Sequence, residues 1–174
     1  GTTNNTHATN VARIAAGSNG VAPAASIYSS FGTVIWDDEF QPTDNNMIDA
    51  ITNQCEEGVQ VANYSMKYIR STTSGSSYDY IFNDASEQYL DYIIRTKKMT
   101  FVVAAGNESG IIYRPGVAYN IITVGGLINS GTSDPSDDYM FSKSSYDNGD
   151  GCFKPDLIAD QVDGGTSYAA PVVT

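Results

Sequence analysis

The 174-residue chain is 41% hydrophobic and 17% charged, which is enough apolar material for one core without metal or disulfide staples and too much for global disorder. Twenty Asp and Glu against nine Lys and Arg give a net charge of −11, and no basic cluster exceeds Lys97-Lys98. Binding to nucleic acid or to an anionic membrane by charge is thereby excluded, and one domain over residues 1–174 is expected.

Residues 1–6, Gly-Thr-Thr-Asn-Asn-Thr, hold neither a basic region nor an apolar stretch, and no run in the chain approaches the roughly 20 apolar residues of a membrane span. Any signal peptide is expected to have been removed. A helix is predicted over His7–Ala16 and a short strand over Ser26–Phe31. The helix predicted over Asp44–Glu57 has Thr43 as its N-cap and stops at Gly58, and a strand follows over Gln60–Tyr64. After a Ser/Thr-rich loop, Arg70–Asp79, a helix over Tyr80–Lys97 ends in the cations Arg95, Lys97 and Lys98, as a helix C-terminus favours. Strands are predicted over Thr100–Ala104 and Asn120–Val124, then a loop over Asn129–Asp138. Lys154-Pro155-Asp156 is read as a turn into a strand. Gly165-Thr166-Ser167 opens a final apolar helical segment that stops at Thr174 with no cap, so the C-terminus is expected to fall inside an element. Short β-branched runs alternating with longer helical stretches make the class α/β, with a parallel sheet whose strands are buried on both faces.

Cys55 and Cys152 lie far apart without CxxC spacing, and the chain has a single His, a combination that argues against zinc. Whether the two cysteines pair is left open by sequence. Low charge density and many Asn, Ser, Thr and Tyr suit an extracellular or cell-surface protein.

Three stretches carry residues suited to acyl transfer. The first is Thr6-His7-Ala8-Thr9-Asn10-Val11-Ala12-Arg13, followed by Gly20-Val21-Ala22-Pro23. His7, as the only imidazole, is the one side chain able to take and return a proton near neutral pH. The second is Phe101-Val102-Val103-Ala104-Ala105-Gly106-Asn107-Glu108, where Asn107 follows a strand and its amide could donate to a developing oxyanion. The third is Gly165-Thr166-Ser167-Tyr168-Ala169-Ala170-Pro171, which places the Ser167 hydroxyl at a helix N-terminus, where free N–H groups and the helix dipole favour negative charge. Singly, each has an ordinary structural use: a capping His, a turn Asn, an N-cap Ser.

Together and in this order, the three stretches resemble the His, Asn and Ser blocks of the subtilisin-like serine proteases, and the resemblance spans nearly the whole chain. It implies a doubly wound, mostly parallel sheet flanked by helices and incomplete at both ends. It also implies serine endopeptidase activity, with His7, Asn107 and Ser167 as catalytic residues and a polypeptide as substrate. Val61-Ala62-Asn63-Tyr64-Ser65-Met66 resembles the family's substrate-binding edge, so Ser65 and Met66 are expected to pair with substrate backbone. Ala104, Ala105 and Gly106 are expected to wall the pocket for the side chain before the cleaved bond. Small walls imply room for a medium or large apolar side chain.

The sequence departs from the family pattern at several places. Residues 1–6 contain no carboxylate, and the first acids are Asp37 and Asp38, so the acid that orients the histidine is not where the family has it. The expectation is a fragment lacking the Asp strand, inactive or only weakly active by itself, with a later acid as the alternative, and with self-association or pairing with a missing segment as a consequence of open edges. Ala8, Asn10 and Arg13 replace a Gly, a His and a Gly of the His block, and Lys67 replaces a Gly beyond Met66. No cofactor is expected. Calcium is implied by the resemblance alone, and no site is assignable because Gly17-Ser18-Asn19-Gly20 is shorter than the family's calcium-binding insertion. A catalytically dead pseudoprotease or peptide-binding module is the alternative function.

Overall fold

The structure, a computed structural model, describes residues 6–29, 44–66, 85–110, 112, 114–146, 153–160 and 165–174. Thr43, Lys67, the 70–79 loop, Asp37, Asp38 and Cys152 lie outside the described residues. In chain order the elements are α1 (Thr6–Ala16), α2 (Asp44–Glu56), β1 (Val61–Tyr64), α3 (Ala85–Lys97), β2 (Thr100–Ala104), β3 (Ile122–Ile128), a 3-10 turn (Pro135–Asp137), β4 (Tyr139–Met140), β5 (Leu157–Asp160) and α4 (Thr166–Val173).

The four principal strands are parallel: β1 pairs with β2, β2 with β3, and β3 with β5. Val124 on β3 faces both Ala104 on β2 and Leu157 on β5, so β2 and β5 flank opposite sides of it. Beyond the end of β2, the short antiparallel β4 pairs with Leu127 and Ile128.

Alternation along β2 divides the core. Phe101 and Val103 pack with Ile51 of α2 and with Leu90 and Ile93 of α3. Val102 and Ala104 pack on the other face with Val124, Ala159, Ala169 and Ala170, under α4. Helices thus cover both faces of a mostly parallel sheet, the doubly wound α/β arrangement expected from the sequence. Each fully buried aliphatic or aromatic side chain in these layers contributes about 1.5–3 kcal/mol. On α4 the buried residues are Thr166, Ala169, Ala170 and Pro171, and the small Ala169 and Ala170 pack against the sheet.

The segment 58–59 ends α2 as its sequence suggests. Gly58 takes φ +74, the left-handed region, and Val59 N–H reaches back to the Gln54 carbonyl at 3.0 Å. Cys55, on the same turn, is a half-buried free thiol donating to the Met99 sulfur at 3.7 Å, and burial raises its pKa.

Two expectations need correction. Ser26–Ser29 form no strand, and Ile27 and Tyr28 are 57% and 46% exposed; residues 30 and 31 lie outside the described residues. The β-branched and aromatic side chains there have no sheet partner among the described residues. The strand expected over Asn120–Val124 instead runs Ile122–Ile128, through Gly125 and Gly126, which look like terminators in sequence. Gly125 is required by packing: a Cβ there would lie 2.8 Å from Pro155 and 3.0 Å from the Ser144 hydroxyl oxygen. Lys154-Pro155-Asp156 does lead into a strand, β5. Buried Lys154 donates to the Ile121 carbonyl at 3.1 Å and to Asp156 at 2.6 Å, and Asp156 also accepts the Thr123 N–H, tying β5 to the start of β3.

Candidate active site

Neighbouring parallel strands β1 and β2 end side by side, and the chain leaves the sheet there at Ser65-Met66 and at Ala105-Gly106-Asn107. Ligand crevices of open α/β sheets lie at such carboxyl ends. Gly106 takes φ +108, which turns the chain out of β2 at a conformation that L side chains rarely adopt. The turn is held by Ser145, whose N–H donates to the Gly106 carbonyl at 2.8 Å, and by Thr166, whose hydroxyl accepts the Gly106 N–H at 3.0 Å.

The Asn107 side chain is fixed by the start of α4. Its Oδ1 accepts from the Thr166 N–H at 2.9 Å and from the Thr166 hydroxyl at 3.1 Å. A backbone N–H can only donate, so these contacts identify the oxygen and leave Nδ2 directed away from Thr166. Gly165, at the N-cap position, provides no side-chain cap, and Asn107 supplies that acceptor from another part of the chain. Gly165 takes φ +74, and a Cβ there would lie 2.5 Å from Asn107 Oδ1. Only glycine admits the asparagine.

Ser167 follows in the first turn of α4, half-buried, with a backbone N–H that has no partner within the helix. Its hydroxyl donates to the Ser65 carbonyl at 3.3 Å, and its own carbonyl accepts from the Ser65 hydroxyl at 2.7 Å. The second bond has a sequence cause. Residue 171, four positions on, is proline and has no N–H to give to the Ser167 carbonyl. Asn63 donates to the Ser65 hydroxyl oxygen at 2.9 Å and accepts from the Thr174 hydroxyl at 3.1 Å, which closes a network from β1 to the end of α4.

His7 lies exposed in the first turn of α1, and its ring stacks on Tyr168 with centroids 5.7 Å apart and planes 25° apart. Asn10, one turn along α1, donates to the Tyr168 hydroxyl at 3.2 Å. Asn107 is therefore bonded to the residue before Ser167, and His7 is stacked on the residue after it. The three candidate catalytic residues, far apart in sequence, converge on the first turn of α4.

Of the candidate binding residues, Met66 is exposed and Ser65 buried at the end of β1. The Ala104 methyl is buried with Val124 and α4, and Ala105 is packed with Ile112 and Val117, so both side chains face the interior. Thr166, Tyr168, Asn63 and Ser145 carry no functional signal in the sequence. Their roles depend on contacts across the fold, and only Pro171 inside a helical stretch hints, from sequence, at an orphaned carbonyl. Among the described residues, no group of three or more His, Cys, Asp or Glu side chains is placed to hold a metal ion, and no helix is long and apolar enough to cross a membrane.

No curated protein matches the chain in sequence. Among solved structures, the chain is similar to the prenylagaramide maturation protease PagA, with TM-score 0.67 and 18% identity over 97% of this chain and 61% of that one. It is also similar to tripeptidyl peptidase 2, with TM-score 0.68 and 24% identity over 97% of this chain and 14% of that one. A lanthipeptide protease matches with TM-score 0.64 and 18% identity over 96% of this chain and 58% of that one. The chain thus spans under two thirds of each of these proteins, and at these identities the likeness is one of fold. The family model of the subtilases, peptidase family S8, matches residues 1–174. With that match over the full sequence and a sheet that superposes on proteases of the same architecture, the chain belongs to the subtilase family.

Proposed function

We propose that this chain carries the catalytic centre of a serine endopeptidase, with Ser167 as nucleophile, His7 as general base and acid, and Asn107 as an oxyanion donor. The Ser167 oxygen attacks the scissile carbonyl carbon as its proton passes to His7. The carbonyl oxygen becomes an oxyanion held by Asn107 Nδ2 and the Ser167 N–H. Collapse breaks the C–N bond, with His7 returning the proton to the leaving amine, and water repeats the sequence on the acyl-enzyme. Met66 and the Ser65 backbone take the substrate as an added strand, and the turn through Ala104, Ala105 and Gly106 borders the pocket.

The observation that carries this reading is the Asn107 amide, whose oxygen is held by Thr166 so that its nitrogen is left for another acceptor beside Ser167. The Ser167 hydroxyl, bonded to the Ser65 carbonyl, must turn from it to His7 before attack. An acid on the second imidazole nitrogen would fix the tautomer and support the imidazolium. Residues 1–6 supply none, and Asp37 and Asp38 are the first acids in the chain. The acidic, polar, lightly charged composition supports work outside the cell or at its surface.

The competing reading, a peptide-binding pseudoprotease, is supported by Ala8, Asn10 and Arg13 in the His block. A fluorophosphonate probe separates the two. Labelling of Ser167, lost in Ser167→Ala and accompanied by weak hydrolysis of fluorogenic peptides, is the expected result. Peptide binding with neither labelling nor hydrolysis would establish the pseudoprotease.

A further inference from the structure

We propose that Tyr168 is a positioning residue for His7, holding the imidazole by ring stacking while Asn10 holds the phenol. This rests on the role proposed for His7. No residue of α1 is fully buried, and His7 in its first turn is exposed. α1 packs against α4. His7 and Asn10 are three residues apart, so they share one face of α1. Tyr168 meets both, with its ring against the imidazole at 5.7 Å between centroids and its hydroxyl accepting the Asn10 amide at 3.2 Å. One tyrosine is thus held at its face and at its tip by a single helical turn, which restrains both translation and rotation of α1 relative to the first turn of α4.

The chemistry gains in two ways. A stacked ring limits the imidazole to a narrow range of planes, and a proton transfer between Ser167 and His7 depends on that plane. When His7 takes the proton, it becomes a cation in the first turn of a helix, where the macrodipole opposes it, and the electron-rich face of Tyr168 offsets that opposition. Asn10, a departure from the family pattern in sequence, thereby has a use in this chain.

Because His7 is the only histidine, its ring protons give a single assignable pair of NMR signals. In the full chain at fixed pH, these are expected to show an upfield ring-current shift that Tyr168→Leu removes and Tyr168→Phe keeps. In peptide hydrolysis, Tyr168→Leu is expected to lower kcat by about 10-fold or more with KM little changed, within the roughly 10²-fold that a 1 Å misplacement can cost. Tyr168→Phe should recover most of that loss, and Asn10→Ala should fall between. An imidazole signal unchanged by Tyr168→Leu, or a kcat that Tyr168→Leu leaves intact, would overturn the proposal. Absence of hydrolysis by the unmodified chain would overturn the peptidase reading alone, and the imidazole signals would still decide whether Tyr168 holds His7.

Discussion

Ser65 answers a deficit that Pro171 creates. Proline in the interior of α4 leaves the Ser167 carbonyl without its helical donor, and the Ser65 hydroxyl, arriving from the end of β1, donates to it at 2.7 Å. A helix defect is thus converted into the bond that fixes the first turn of α4 against the sheet, at the residue with the candidate nucleophile. Asn63 orients the Ser65 hydroxyl by donating to its oxygen, so that its single proton goes to the carbonyl.

A double-mutant cycle tests this dependence. Ser65→Ala leaves a carbonyl unpaired near the core and should destabilise the chain by about 1–3 kcal/mol. In a Pro171→Ala background, residue 171 regains its N–H and the helix can satisfy the carbonyl itself, so the same Ser65→Ala change should cost clearly less. Denaturant titrations of the four proteins provide the comparison. Equal losses in both backgrounds would show that the two residues are not coupled.

Gly165→Ala should be among the more damaging single-methyl changes in the chain. The new Cβ would meet Asn107 Oδ1 at 2.5 Å on a residue with φ +74 and ψ −167, so steric overlap adds to the penalty of about 1–3 kcal/mol for a backbone region that is essentially reserved for glycine. Displacing Asn107 also removes the cap on Thr166. Thermal unfolding should show the loss, and combining the change with Asn107→Gly should recover the overlap but not the backbone part. A Gly165→Ala protein as stable as its parent would contradict the close packing of this turn.

Glu87, in the first turn of α3, is 1% exposed and forms a two-point ion pair with Arg114. Breaking a buried pair from one side leaves an uncompensated charge, so Glu87→Ala should cost about 3–5 kcal/mol. Replacing both partners with apolar residues of similar volume should cost much less. Chemical denaturation distinguishes these outcomes, and a Glu87→Ala loss below about 1 kcal/mol would mean that Arg114 finds water or another acceptor.

Sequence carried much of this architecture because its signals are local. The strand of β2 reads directly from Thr100–Ala104, and the boundary of α2 from Gly58, since burial on both faces and a positive φ each leave a mark on residue type. His7, Asn107 and Ser167 were legible as a set of blocks. The extension of β3 was not, because Gly125 terminates a strand by propensity and continues one here for want of space beside Pro155 and Ser144. β4 has only two residues, Tyr139 and Met140, too few for any periodicity. The bracing of the site was also illegible, since Thr166 to Asn107 and Asn10 to Tyr168 are contacts between residues 59 and 158 positions apart.

Asn107 has two separable tasks, which makes it the most informative residue to vary. Its oxygen caps α4 through Thr166, a contribution to stability, and its nitrogen is the proposed oxyanion donor, a contribution to the transition state alone. Asn107→Ala removes both, so it should lower kcat by about 10²–10³, a magnitude carried over from the corresponding donor in subtilisin rather than derived from this chain, and should also cost about 1 kcal/mol of stability through the lost cap. Asn107→Asp separates the tasks. The carboxylate keeps an acceptor for the Thr166 N–H and hydroxyl, and a negative charge at the N-terminus of α4 suits the helix dipole, so stability should stay within about 0.5 kcal/mol of the parent. It offers no N–H and places negative charge where the oxyanion forms, so its kcat should fall at least as far as that of Asn107→Ala, with KM little changed in both. Peptide hydrolysis and denaturant unfolding of the same three proteins supply both readouts. A stable Asn107→Asp protein that retains its turnover would remove Asn107 from the oxyanion site and leave it only the cap.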